Sequence, residues 1–254
     1  MEMKGILKIM RNIKLTIEYD GKDFNGWQKQ PNKLNIQGTI EEAIKQITGE
    51  EIDLMASGRT DAGVHAFGQV ANFKTESNIP IEKIPIAINT RLKRSIRIID
   101  AEEVDERFHS RLSCKKKTYR YVINCGKYES AIYRNFETYI PFHLDVEKMK
   151  EAAKFFEGEH DFKAFKASGT SSKSSVRTIF SANVIPKENN RIYIELTGNG
   201  FLYNMVRIIA GTLVDVGEGK IEPQNIPSII DSKKRENAGK TLPAKGLFLM
   251  RVEY

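Results

Sequence analysis

ASGRTDAGVHAFGQV, residues 56–70, is the stretch from which the rest of the chain can be read. It sets Arg59, Thr60 and Asp61 between Gly58 and Gly63, then returns to an apolar alternation. Upstream, Ile52, Leu54 and Ala56 alternate with Asp53, Met55 and Ser57, so the chain arrives as a short strand. Residues 70–74 read as the next strand, which leaves 58–68 as a turn held between two strands. Gly58 and Gly63 permit backbone angles that a Cβ resists. A single acid beside an arginine, lifted on a tight strand-end turn, is how an enzyme aims one carboxylate into a cleft. The same residues also describe a plain turn capped by Asp61 and paired to Arg59. The stretch alone leaves both readings open.

Working outward, residues 13–19 alternate Ile13, Leu15, Ile17 and Tyr19 with polar neighbours, a half-buried first strand. The loop that follows carries Phe24, Gly26 and Trp27, the only tryptophan, which reads as packing over a core edge. Thr39 and Glu42 have capping-box spacing, and Ile40, Ala43, Ile44 and Ile47 follow at helical intervals until Gly49. A helix entered at Pro80, with Pro85 in its first turn, and a strand over 95–104 complete this part. Residues 107–117, RFHSRLSCKKK, form a basic run. It leads into a strand in which Lys117, Tyr119, Tyr121 and Ile123 share one side. Basic residues interleaved with aromatics can meet phosphates and stack on bases; at least one of the two tyrosines reads equally as strand packing. Asp145 caps a helix ending at Gly158, and 167–175 (ASGTSSKSS) reads as a mobile polar loop. Residues 176–185 and 192–196 suit a hairpin, 201–216 an apolar helix, 223–230 a short helix and 246–254 a last strand. Arg207 lies within the apolar helix, and a buried arginine calls for an acid elsewhere in the fold.

The two parts each read as strand, helix, further strands and a helix. The expected class is therefore α+β: a mixed, largely antiparallel sheet in two pseudo-duplicated halves, with helices packed on it and a cleft between them. The divisions are an N-terminal extension (1–11), an N-terminal half (12–110) and a C-terminal half (111–254). A chain of 254 residues is long enough for this. Its 40 basic against 33 acidic residues leave +7, which suits a polyanionic partner. Cys114 and Cys125 are the only cysteines, too few for a disulfide framework or a Cys-rich metal site. No secretory signal is visible, and no apolar run reaches the ~18 residues of a membrane span. A reduced, cytoplasmic protein is expected, with Met10 as an alternative start. The four histidines are scattered, and Gly198-x-Gly200 lacks the rest of a dinucleotide fingerprint. What remains is Asp61 with arginine support, a basic surface and aromatics. A carboxylate paired with arginine stays ionised at neutral pH, and ionised it can act as nucleophile or base.

GRTDAGVHA (58–66) resembles the active-site motif of the tRNA pseudouridine synthase A family. YDGKDFNGWQKQ, KKKTYRYVI, GEHDFKAF, GNGFLYNMVRIIAG and PAKGL resemble that family in the expected order, from about residue 12 onward. The resemblance implies isomerisation of uridine to pseudouridine at positions 38, 39 and 40 of the tRNA anticodon stem-loop. It implies Asp61 as the catalytic aspartate and Arg59 as the residue that helps open the RNA and hold the flipped nucleotide. Tyr119 is implied to stack on the target base and assist at C5, and Arg207 to be the ion partner of Asp61. It further implies a homodimer acting without cofactor or metal. Asp61 is left three chemical routes: attack at C1′, attack at uracil C6, or removal of the C2′ proton. A non-catalytic RNA-binding protein or chaperone using the same basic cleft is the alternative, although mere binding gains nothing from an acid near phosphate.

Overall fold

The computed structural model describes residues 10–169 and 174–254. The N-terminal extension up to residue 9, and residues 170–173 of the serine-rich stretch, lie outside the described residues. The first part of the chain holds strand β1 (Arg11–Tyr19), helix α1 (Ile36–Thr48), β2 (Met55–Ala56), β3 (His65–Thr75), α2 (Ile84–Asn89) and β4 (Ile96–Val104). The second holds β5 (Lys116–Asn124), β6 (Thr138–Tyr139), α3 (Val146–Lys154), β7 (Gly158–Asp161), β8 (Val176–Lys187) and β9 (Arg191–Gly198). It closes with α4 (Met205–Gly217), α5 (Ile226–Ser232) and β10 (Leu247–Glu253).

The strands form one sheet in the order β4-β1-β3-β10-β5-β9-β8-β7, with β2 added on β3 and β6 on β5. Only β3/β10 and β5/β6 run parallel. This is the expected mixed α+β class, largely antiparallel. Each part sets its first strand between two later ones, β4-β1-β3 and β10-β5-β9, and the parts meet where β10 pairs with β3. The period-2 pattern of β1 does what it promised: Ile13, Leu15, Ile17 and Tyr19 are buried. Following the register from Tyr19 gives one row across the sheet, Tyr19–Ala66–Leu249–Tyr119–Leu196–Ala182. Every member is buried on the face that carries the helices.

Several boundaries differ from the sequence reading, each for a physical reason. Helix α1 opens at Ile36, three residues before the expected capping box, because the Asn35 side chain accepts the Gly38 N–H. Thr39 instead donates its hydroxyl back to the Asn35 carbonyl at 2.7 Å. The strand expected over 52–56 shrinks to two residues, and β3 starts at His65 rather than Val70. Pairing to β1 and to the parallel β10 recruits residues 65–69 into the ladder, so the turn is 57–64. Gly58 is not in a left-handed conformation, whereas Gly63 is, at φ 78°. Helix α4 starts at Met205, because Asn204 adopts φ 61° and breaks the chain out of helix ahead of it. The hairpin is longer than expected and turns through Asn189 and Asn190, both at positive φ. Pro85 sits in the first turn of α2, as expected.

The basic run does not line the helix-bearing face as a unit. Asn12 and Asn72, on the opposite face, hold residues 105–110 there. The Asn12 amide donates to the Asp105 and Phe108 carbonyls, and Asn72 Oδ1 accepts from the Ser110 N–H and hydroxyl. Lys14 stacks its ammonium over Phe108 and Tyr254 on that same face. Only Lys117, at the end of the run, turns onto the face of Tyr119.

Helix α4 is fastened to the segment before β10. The Leu242 N–H donates to the Arg207 carbonyl, and a Cβ on Gly211 would sit 1.9 Å from the Lys240 carbonyl oxygen. Gly211→Ala is therefore expected to lower unfolding stability by about 1–3 kcal/mol, read as a drop in urea midpoint with an unchanged m-value.

Candidate active site

The turn 57–64 is held from below and from the side. Tyr19, at the end of β1, bonds its hydroxyl to the Thr60 hydroxyl at 2.7 Å. Trp27 donates its backbone N–H to the Thr60 carbonyl at 3.0 Å; the residue is 2% exposed, and its ring centroid lies 6.2 Å from that of Tyr19. This is the core-edge packing expected of the lone tryptophan. Gly26 is needed beside it: its φ is 82°, and a Cβ would approach the Thr60 oxygen to 2.6 Å. Gly21 is needed more strictly, because a Cβ there would fall 1.9 Å from the Val64 carbonyl oxygen. On the upstream side Gln69 accepts from the Ser57 hydroxyl and donates to the Gly58 carbonyl. With backbone and side chains tied on both flanks, Asp61 is presented from a rigid support.

Asp61 is half-buried, and its Oδ2 lies 3.8 Å from Nη1 of Arg207. The predicted partner of the mid-helix arginine is thus beside it. The contact is an ion pair at a distance longer than a hydrogen bond, because the guanidinium is already engaged. Nε donates to the Leu242 carbonyl at 2.7 Å and Nη1 to Asn204 Oδ1 at 2.8 Å. Arginine acts on the carboxylate in the direction the sequence led one to expect, and burial opposes it. Burial raises the Asp61 pKa, and Arg207 only partly offsets it.

Tyr119 and Tyr121 are both buried in β5. Tyr121 is structural, bonding its hydroxyl to Thr138 and to the Pro243 carbonyl. Tyr119 packs edge-on against Phe201, with ring centroids 5.2 Å apart. Burial drives its phenol pKa well up, and the nearby Tyr19 and Asp61 push the same way, so it is a neutral phenol that senses the Asp61 charge. Arg59 is exposed and makes no ion pair or side-chain hydrogen bond among the described residues. The structure thus gathers Asp61, Arg207 and Tyr119, and leaves Arg59 free on the same turn.

His65 closes the motif. It lies between Phe136 and Phe248, with centroids at 5.0 and 4.8 Å, and its Nε2 meets the Asn135 carbonyl at 3.0 Å. Its Nδ1 meets the Gly21 N–H and the Asp20 carboxylate, both at 3.1 Å. Burial lowers its pKa despite Asp20. Sequence reasoning missed His65, Asn204, Thr60 and Leu242 as supports. Only Asn204 carried a usable signal, since asparagine is one of the few residues that adopts positive φ readily. Among the described residues no group of three His, Cys, Asp or Glu side chains is placed to hold a metal ion.

A family model described as tRNA pseudouridine synthase matches residues 15–112 and 152–254. The chain belongs to this family, whose members are isomerases that convert uridine in tRNA. The tRNA pseudouridine synthase A of Caldicellulosiruptor saccharolyticus is 55% identical over 245 residues, 96% of this chain and 100% of that protein. Those of Caldicellulosiruptor bescii and Acetivibrio thermocellus, at 54% and 51%, cover the same shares. Among solved structures, the archaeal box H/ACA sRNP Nop10–Cbf5 complex aligns at TM-score 0.35 and 12% identity, over 80% of this chain and 44% of that one. It is a distant likeness.

Asn204 offers a clean check of how the guanidinium is held. Asn204→Gly keeps the backbone and removes the bond to Arg207; Asn204→Ala also strains the left-handed position. Both are expected to slow turnover on tRNA, and urea unfolding is expected to show the alanine variant about 1 kcal/mol less stable than the glycine one.

Proposed function

We propose that this chain isomerises uridines 38, 39 and 40 in the anticodon stem-loop of tRNA, with Asp61 as the catalytic carboxylate. The observation that carries this reading is Asp61 lying 3.8 Å from the Arg207 guanidinium, with its charge acting on the buried Tyr119 phenol. The reaction breaks the N1–C1′ bond, rotates the uracil while it is held, and joins C5 to C1′. The C5 proton leaves and N1 gains one, so no oxidant or reductant is consumed.

A uridine stacked in a stem must first be flipped out, at roughly a few kcal/mol. Arg59, exposed and uncommitted, supplies a cation to hold the opened RNA. The Tyr119 ring, braced edge-on by Phe201, bounds the base. Asp61 acts as the ionised carboxylate. Arg207 stabilises that charge, and its bonds to Leu242 and Asn204 keep it in place while the charge on Asp61 changes during reaction. Tyr119 enters as a neutral phenol, so a role at C5 requires that it first pass on its own proton. The family resemblance supports a homodimer working in the cytoplasm without a cofactor.

The deciding experiment is tritium release from tRNA labelled with [5-³H]uridine. Release by the wild type and none by Asp61→Asn, with tRNA binding retained in both, is expected; equal release by both proteins would remove Asp61 from the chemistry. Tyr119→Ala is expected to lose release as well. The pH dependence has a definite sign. Burial raises the Asp61 pKa and Arg207 lowers it, so Arg207→Gln takes away the lowering influence. The acidic limb of kcat/KM is then expected to move to higher pH.

A further inference from the structure

Lys117 is a charged group to which the reaction as described gives no task. It stands on the helix-bearing face of β5, two residues before Tyr119, and donates from Nζ to the Ser57 carbonyl at 2.5 Å. A Cβ on Gly58 would lie 2.7 Å from that same nitrogen. Because Gly58 is not at positive φ, glycine serves there to leave space for the ammonium rather than to make the turn. Burial lowers the Lys117 pKa, Cys114 partly offsets this, and the charge of Arg111 adds a smaller lowering. Among the described residues neither Lys117, Arg111 nor Arg59 forms an ion pair with a carboxylate.

An ammonium has three N–H donors, and the Ser57 carbonyl takes one. Desolvated charges are normally paired; this one has no carboxylate partner among the described residues and lies against the turn that bears Asp61. We propose that Lys117 is an anion subsite that takes a backbone phosphate of the bound RNA. A phosphate oxygen fills the idle donors, and its charge offsets the desolvation that the free enzyme carries. The same ammonium grips the Ser57 carbonyl, so the subsite links seating of the RNA backbone to the position of the catalytic turn. This inference rests on the tRNA reading above. Its competitor is a plain clamp, in which Lys117 only braces Ser57.

The test measures tRNA binding by the full chain across a series of KCl concentrations, with turnover recorded alongside. Lys117→Met is expected to reduce the steepness of log K against log [KCl] by about one, and Lys117→Arg to keep it. A wild-type slope in Lys117→Met, with or without slower turnover, overturns the subsite and leaves the clamp. Should Lys117→Met fail to fold, Lys117→Gln, which keeps an N–H donor for the Ser57 carbonyl but no charge, decides: a shallower slope supports the subsite and a wild-type slope overturns it. Asp61→Asn is measured in parallel and is expected to keep the wild-type slope without turnover. Turnover by Asp61→Asn would sink the catalytic reading while leaving the slope result standing, so the two failures are distinguishable.

Discussion

The structure depends on a short parallel pairing, Phe248 with His65 and Leu249 with Ala66, that joins β10 to β3. Every other contact between neighbouring long strands is antiparallel and local to one part of the chain. This seam alone sets Tyr19 and Tyr119, from strands about a hundred residues apart, in one row with Ala66 and Leu249 between them. Together with the pairing to β1 it draws His65–Gln69 into strand, which shortens the turn that bears Asp61.

Around the seam the chain commits its polar groups to holding the turn rather than to neutralising it. Thr60 is bonded by Tyr19 through its hydroxyl and by Trp27 through its carbonyl, and Ser57 by Lys117 and Gln69. Arg207 gives its shorter bonds to a carbonyl and an asparagine and leaves Asp61 at 3.8 Å. A carboxylate locked in a tight bidentate pair would be a poor reagent. Here burial raises its proton affinity while the guanidinium restrains that rise, and no tight pair locks the carboxylate in place.

Much of this was legible in the sequence. The alternation of Ile13, Leu15, Ile17 and Tyr19, the stripe along α4 and the glycine-flanked Asp61 are local patterns. A strand or helix period needs no knowledge of partners. The need of Arg207 for an acid followed from desolvation alone. Helix α1 starts four residues before the position its sequence suggests, because Asn35 and Thr39 are both plausible caps and only the geometry of the approaching loop decides between them. The basic run is contiguous in sequence. Its members divide between two faces because Asn12 and Asn72 draw residues 105–110 behind the sheet.

The sequence by itself determined most of the elements, the class of fold and the family, because those rest on periodicity, turn chemistry and a dense motif. The tertiary structure alone decided which groups support that acid and how strongly. Parallel pairing between distant strands, the shared engagement of Arg207 and the desolvation of Lys117 are sums over residues far apart in the chain. No window of sequence contains them.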